Sequence, residues 1–222
     1  MFSKFTDALY AFASKGALKD EVVRARAEFF EALRDVTEDE EFYDERINAF
    51  LEWYCIDRTI GQTGRTPLDM YLESGGLDGE AVDFFAGFAS ARLSLYRIGR
   101  VDGVTVAVRD VFTLVDSQVV DDRPLIALKK GDLVETRLIR VAGVLHFSST
   151  FMTHPKDVRK LILREVKTAS RERRLDVPAF LRNLGVLWVR NRRYSGINAA
   201  QLYTPEALSR PNVRPLKELA DQ

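Results

Sequence analysis

Two histidines, one cysteine and a short run of hydroxyls are the side chains of this sequence best suited to covalent or metal chemistry. His146 and His154 match no helical ligand pair, and tetrahedral zinc would need two further ligands from scattered carboxylates or Cys55. His154 precedes Pro155 and reads as a polar cap at a helix start. Ser148-Ser149-Thr150, beside the two histidines, is the sole nucleophile-and-base grouping. No G-x-S-x-G elbow is present and nothing places an oxyanion hole, so strand-end hydroxyls account for the run. Cys55 falls inside an amphipathic helical pattern and reads as a buried structural cysteine. Lys15-Gly16 and Gly61-Gln62-Thr63-Gly64-Arg65 lack the phosphate-loop pattern, and the second follows a helix, not a strand. It reads as a helix–helix loop and a candidate contact surface. No catalytic, cofactor-binding or metal-ligating residue is assigned, and no cofactor is expected.

The strongest positive feature is cationic. Arg171, Arg173 and Arg174 cluster in SRERRLD, and Arg190, Arg192 and Arg193 cluster in VRNRRYSG beside Tyr194. Guanidinium forks suit carboxylate or phosphate, and an aromatic neighbour can stack on a base. The plain alternative is that cations gather at helix C-termini because they complement the helix dipole. Formal charge is zero over the chain, with 33 basic and 33 acidic residues, yet the charges are polarised. Residues 1–95 hold 10 Lys/Arg against 19 Asp/Glu, and residues 153–222 hold 15 against 7. Such a chain can attract an acidic protein surface, a nucleic acid, or a second copy of itself through opposite ends. The zero net charge weighs against a dedicated nucleic-acid binder.

The elements that position these groups follow from periodicity. Residues 1–95 read as a helical domain. Phe2, Phe5, Leu9 and Phe12 recur at helical steps up to Gly16, and Val22, Arg26, Phe29 and Leu33 continue the period. Thr37 with Glu40 fits a capping box ahead of a stripe on Tyr43, Ile47, Phe50 and Tyr54, with Trp53 beside it. Thr66-Pro67 starts a short helix closed by Gly75-Gly76, and a last helix runs from about Asp78 to Leu95. The period then changes to two. YRIGRV and VTVAVRD flank Asp102-Gly103 as a hairpin, and FTLVDSQVV, PLIAL, LVETRLIRV and VLHFSS follow as strands. Residues 96–152 are therefore expected to form a small antiparallel barrel-like domain, with Val104, Val106, Val108, Leu133 and Leu138 inside. Residues 153–196 return to helix, and prolines at 205, 211 and 215 make 197–222 a loosely ordered tail.

FLEWYCIDRTIGQTGRTPLDMYLE, SLYRI, VTVAVRDVFT and KKGDLVETRLIRVAGVLHFS together resemble a group of uncharacterised bacterial proteins over about residues 48–150. In that group a helical half precedes a small β-domain, and many members carry a Cys-rich SEC-C zinc motif, which this chain lacks. The resemblance implies no activity. The fold class is α+β. No stretch approaches the roughly 20 apolar residues of a membrane span, and one cysteine suits a reducing cytoplasm. The function expected is a non-enzymatic protein-interaction or scaffolding module with an acidic protein partner, bound through Arg171, Arg173, Arg174, Arg190, Arg192, Arg193 and Tyr194. The alternatives are a nucleic-acid-associated protein using the same basic region, and an enzyme without a recognisable motif.

Overall fold

The computed structural model describes residues 3–31, 36–61, 63–121, 128–194 and 196–209. Among these are nine α-helices and one five-stranded antiparallel sheet, so the α+β class holds. The chain groups into two compact units. Among the described residues, one contains 3–31, 36–61, 63–92 and 137–150, and the other contains 93–121, 128–136, 151–194 and 196–209.

The first unit is built on α1 (Ser3–Ala13), α2 (Lys19–Phe29), α3 (Tyr43–Glu52), α4 (Pro67–Glu73) and α5 (Gly79–Ser90). Its core is aromatic: Phe5 stacks on Phe84 at 5.1 Å, Phe84 on Phe88 at 5.5 Å, and Phe50 on Tyr54 at 6.0 Å between ring centroids. The expected helix starts are built as their residue types require. The Thr66 hydroxyl accepts from the Asp69 amide at 3.1 Å while the Asp69 carboxylate accepts from the Thr66 amide at 2.8 Å, ahead of Pro67. Asp78 accepts from the Ala81 amide at 2.8 Å. Glu40 accepts from the Thr37 amide at 3.0 Å, but α3 begins only at Tyr43. The expected positions Phe2 and Leu33 lie outside the described residues.

α5 ends at Ser90, earlier than the helical spacing suggests, and β1 (Leu93–Asp102) begins two residues after Ala91. It turns at Gly103 into β2 (Thr105–Asp110), with Asp102 opposite Thr105, and β3 (Asp116–Val120) follows. β4 (Leu133–Val141) and β5 (Val144–Thr153) complete the sheet in the order β3-β2-β1-β4-β5. The sheet has two ends and is open, so the small β-region is barrel-like only loosely. Of the expected core, Val106, Val108 and Leu133 are buried. Val104 is 52% exposed because it occupies the turn beside Gly103, and Leu138 is half-buried while its neighbour Ile139 points inward. Most of the expected strand PLIAL falls outside the described residues.

The second unit packs α6 (Arg159–Arg171), α7 (Val177–Arg193), α8 (Ala199–Leu202) and α9 (Pro205–Ser209) around Ile162, Val166, Leu181, Leu184 and Leu187. Tyr203 and Leu208 complete that core at 0% exposure, so the short helices α8 and α9 are anchored, while residues 210–222 lie outside the described region.

Candidate functional site

On α6 the buried residues Ile162, Glu165, Val166 and Ala169 form one face. Lys160, Arg164, Lys167 and Arg171 recur at steps of four, three and four, which places them within an arc of roughly 60° on the opposite face. All four are exposed, and none makes a hydrogen bond or ion pair among the described residues. The stripe spans about 16 Å of helix.

The helix closes in a Schellman turn. The Arg174 amide donates to the Ala169 carbonyl at 3.0 Å and the Arg173 amide to the Ser170 carbonyl at 3.2 Å. The residue between helix and exit must then be left-handed. Glycine usually fills that place, but here it is Arg173, with φ 54°. A Cβ in that conformation costs roughly 1–2 kcal/mol. The Arg173 side chain is exposed and makes no bond among the described residues that would offset the strain.

The other expected arginines are held differently. Arg174 donates to Glu165 at 2.7 Å and to Glu172 at 2.5 Å, and these hydrogen bonds raise its pKa. Arg190 is 5% exposed, and burial lowers its pKa, with the Tyr194 phenol acting the other way. Arg192 lies over the Trp188 ring at 5.5 Å. Arg193 is half-buried and already engaged, and Tyr194 caps α7 with 40% of its surface exposed. Among the described residues, Arg171 and Arg173 are the only two of the six arginines that are exposed and unengaged; Arg173 lies in the turn, and Arg171 ends the stripe that begins at Lys160. The three residues that extend it were readable in the sequence as a four-three-four charge spacing.

A second charged site lies in the first unit, and its residues are far apart in sequence. After Glu52 the helix widens into a π-turn, Trp53–Asp57, closed by the Arg58 amide donating to the Trp53 carbonyl at 3.0 Å. In an α-helix, residues five apart point roughly 140° away from each other. The wider turn brings Glu52 and Asp57 toward one side, where Arg137 of β4 meets both. Its Nε lies 3.3 Å from Glu52, its Nη1 donates to Asp57 at 3.3 Å and to the Ala91 carbonyl at 3.1 Å, and its Nη2 donates to the other Asp57 oxygen. Arg137 and Glu52 are each 1% exposed. Glu52 also accepts from the Thr150 amide at 2.8 Å and the Ser148 hydroxyl at 3.0 Å. Burial raises the Glu52 pKa, against the opposing pull of Arg137. Cys55 is buried within the same π-turn, and burial raises its thiol pKa.

The Ser148 hydroxyl and the Thr150 amide therefore face a carboxylate, and His154 is engaged elsewhere. His154 is 1% exposed, with Nδ1 3.3 Å from the Tyr203 hydroxyl and Nε2 3.5 Å from Glu135. It is an interior side chain, and the helix that starts at Lys156 has Pro155 at its cap position, so His154 is not the polar cap expected of it. Among the described residues no group of three or more His, Cys, Asp or Glu is placed to hold a metal ion, and no helix is long and apolar enough to cross a membrane.

Residues 14–177 match the model of a family of unknown function, DUF7986. The chain belongs to that family. No curated protein and no solved structure matches it. The DUF7986 span contains the α6 stripe, Arg173 and Arg174, and the Glu52–Asp57–Arg137 site, and it stops at the first residue of α7. Arg190, Arg192, Arg193 and Tyr194 lie beyond it.

Proposed function

We propose that this chain is a non-enzymatic interaction module that binds an acidic surface of a partner protein through α6 and the turn after it. The observation that carries the reading is Arg173: a strained, exposed arginine whose side chain makes no bond among the described residues sits where glycine would serve the fold better, just past a cation stripe with no partner among those residues. Strain of this kind is enriched at functional sites. The opposite face of α6 is fixed in the core, so the cations are presented on a rigid support. Their spacing matches a partner helix carrying carboxylates at the same four-three-four steps, where each pair closes within one turn.

The test is titration of the full chain with a helical peptide bearing glutamates at that spacing, with a peptide of equal composition in shuffled order, and with a DNA duplex. The spaced peptide should bind at least about tenfold more tightly than the shuffled one. Charge reversal at Lys160, Arg164, Lys167 and Arg171 should abolish its binding. Equal binding of the two peptides would remove the protein-partner reading. Binding of the duplex alone, with affinity falling steeply with salt, would replace it by the nucleic-acid reading.

A further inference from the structure

The first unit contains a cavity of about 390 Å³ beside the π-turn, within the size range of small-molecule sites. Ile56, Leu68 and Ala89 give it an apolar wall, and Asp57, Thr66, Asp69 and Arg92 give it a polar one. Both signs of charge are present, and each charged group keeps capacity to spare. The Asp57 carboxylate is gripped from behind by Arg137 through two nitrogens, which fixes its plane and leaves further lone pairs. Asp69 uses Oδ2 for the Thr66 amide and hydroxyl, at 2.8 and 2.9 Å, and Oδ1 takes no bond among the described residues. Arg92 is exposed, and among the described residues its only bond is from Nη1 to the Ala89 carbonyl at 3.0 Å. The rest of its guanidinium is available.

We infer that this cavity is a binding site for a small zwitterion with an aliphatic body, the chemistry of a free aliphatic α-amino acid. The ammonium is received by Asp57 and Asp69, the carboxylate by Arg92, and the aliphatic chain lies along Ile56, Leu68 and Ala89. A simple anion would meet two carboxylates against one guanidinium. A simple amine would leave the Arg92 donors to water. Only a ligand with both charges uses all three charged groups of the wall. The π-turn has a defined part in this: it sets Asp57 against Arg137, so the ammonium acceptor is held in place before the ligand arrives.

The experiment is calorimetric titration of the full chain with leucine, with leucinamide, which lacks the carboxylate, and with 4-methylpentanoate, which lacks the ammonium. Leucine should bind, and each half-charged analogue should bind at least about tenfold more weakly, the loss of one charge-assisted contact. Arg92→Ala should bring leucine down to the affinity of leucinamide while leaving leucinamide itself unchanged. Arg92 is exposed, so this variant should keep the wild-type unfolding midpoint, measured alongside. Absence of leucine binding would overturn the inference. So would equal binding of leucine and leucinamide, or an Arg92→Ala variant that binds leucine as wild type does.

Discussion

The surroundings of the π-turn and the outer face of α6 treat charge in opposite ways. In the first, the π-turn buries Glu52 against Arg137, and Arg58 is drawn in by Glu21 at 2.5 Å and Glu28 at 2.8 Å. Apart from Glu28, which is 54% exposed, those charges are enclosed and matched, so they define which helix and strand residues meet. In the second, α6 turns Lys160, Arg164, Lys167 and Arg171 toward water without a partner among the described residues. Buried pairs are costly to break and contribute to the fold, whereas exposed unpaired cations contribute almost nothing to it. Charges of the second kind stay available to groups outside the chain.

The largest effect is expected at Arg137. Arg137→Met leaves Glu52 buried without its cation and should destabilise the chain by about 3–5 kcal/mol. Adding Glu52→Gln to that variant should recover a large part of the loss in urea denaturation. If the double variant were as unstable as the sum of the singles, the pair would not be coupled and the enclosed-charge side of the contrast would fail. Arg58→Ala should cost less, about 2 kcal/mol, because Glu28 stays solvated when its partner goes.

Dependence on pH separates the two pairs further. Glu21 is held below the ordinary glutamate range by hydrogen bonds from Arg58 and Arg24. Its contribution is present above the unfolded value of about 4.3 and is lost as pH falls through the lowered folded value. Glu52 is raised by burial, so its contribution is present below about 4.3 and is lost as pH rises through the raised value. Relative to Glu52→Gln, wild-type stability should therefore decline as pH rises from about 4.3, measured by denaturant midpoints. Relative to Arg58→Ala, it should decline as pH falls below that point. Parallel curves would contradict the assignment.

The smallest effects belong to α6. Alanine at Lys160, Arg164, Lys167 or Arg171 should change stability by no more than about 0.5 kcal/mol each. A loss well beyond that would mean the stripe serves the fold.

Much of the fold was legible because it rests on local chemistry. Thr66-Pro67, Asp78 and Asp176 cap helices where their side chains could accept amide hydrogens, and Asp102-Gly103 turns the first hairpin. The Glu52–Asp57–Arg137 site was not legible, because it joins α3 to β4 across the sequence and depends on a π-turn that apolar periodicity does not encode. The arginine clusters were visible as composition. Their division into paired, buried and free groups was not, because it depends on Glu165 reaching Arg174 and on Arg190 lying on the buried side of α7. Left-handed φ at Arg173 was equally hidden, since glycine is the usual signal for it.

Arg173 is also where the central claim is most directly tested. Arg173→Gly removes the side chain and relieves the left-handed backbone in one change. Denaturant unfolding and titration with the glutamate-spaced helical peptide should be measured on the same preparation. Stability is predicted to rise by about 1 kcal/mol, while peptide affinity falls several-fold. A fall in stability, or a rise with affinity unchanged, would contradict the claim that this strained arginine is kept for binding.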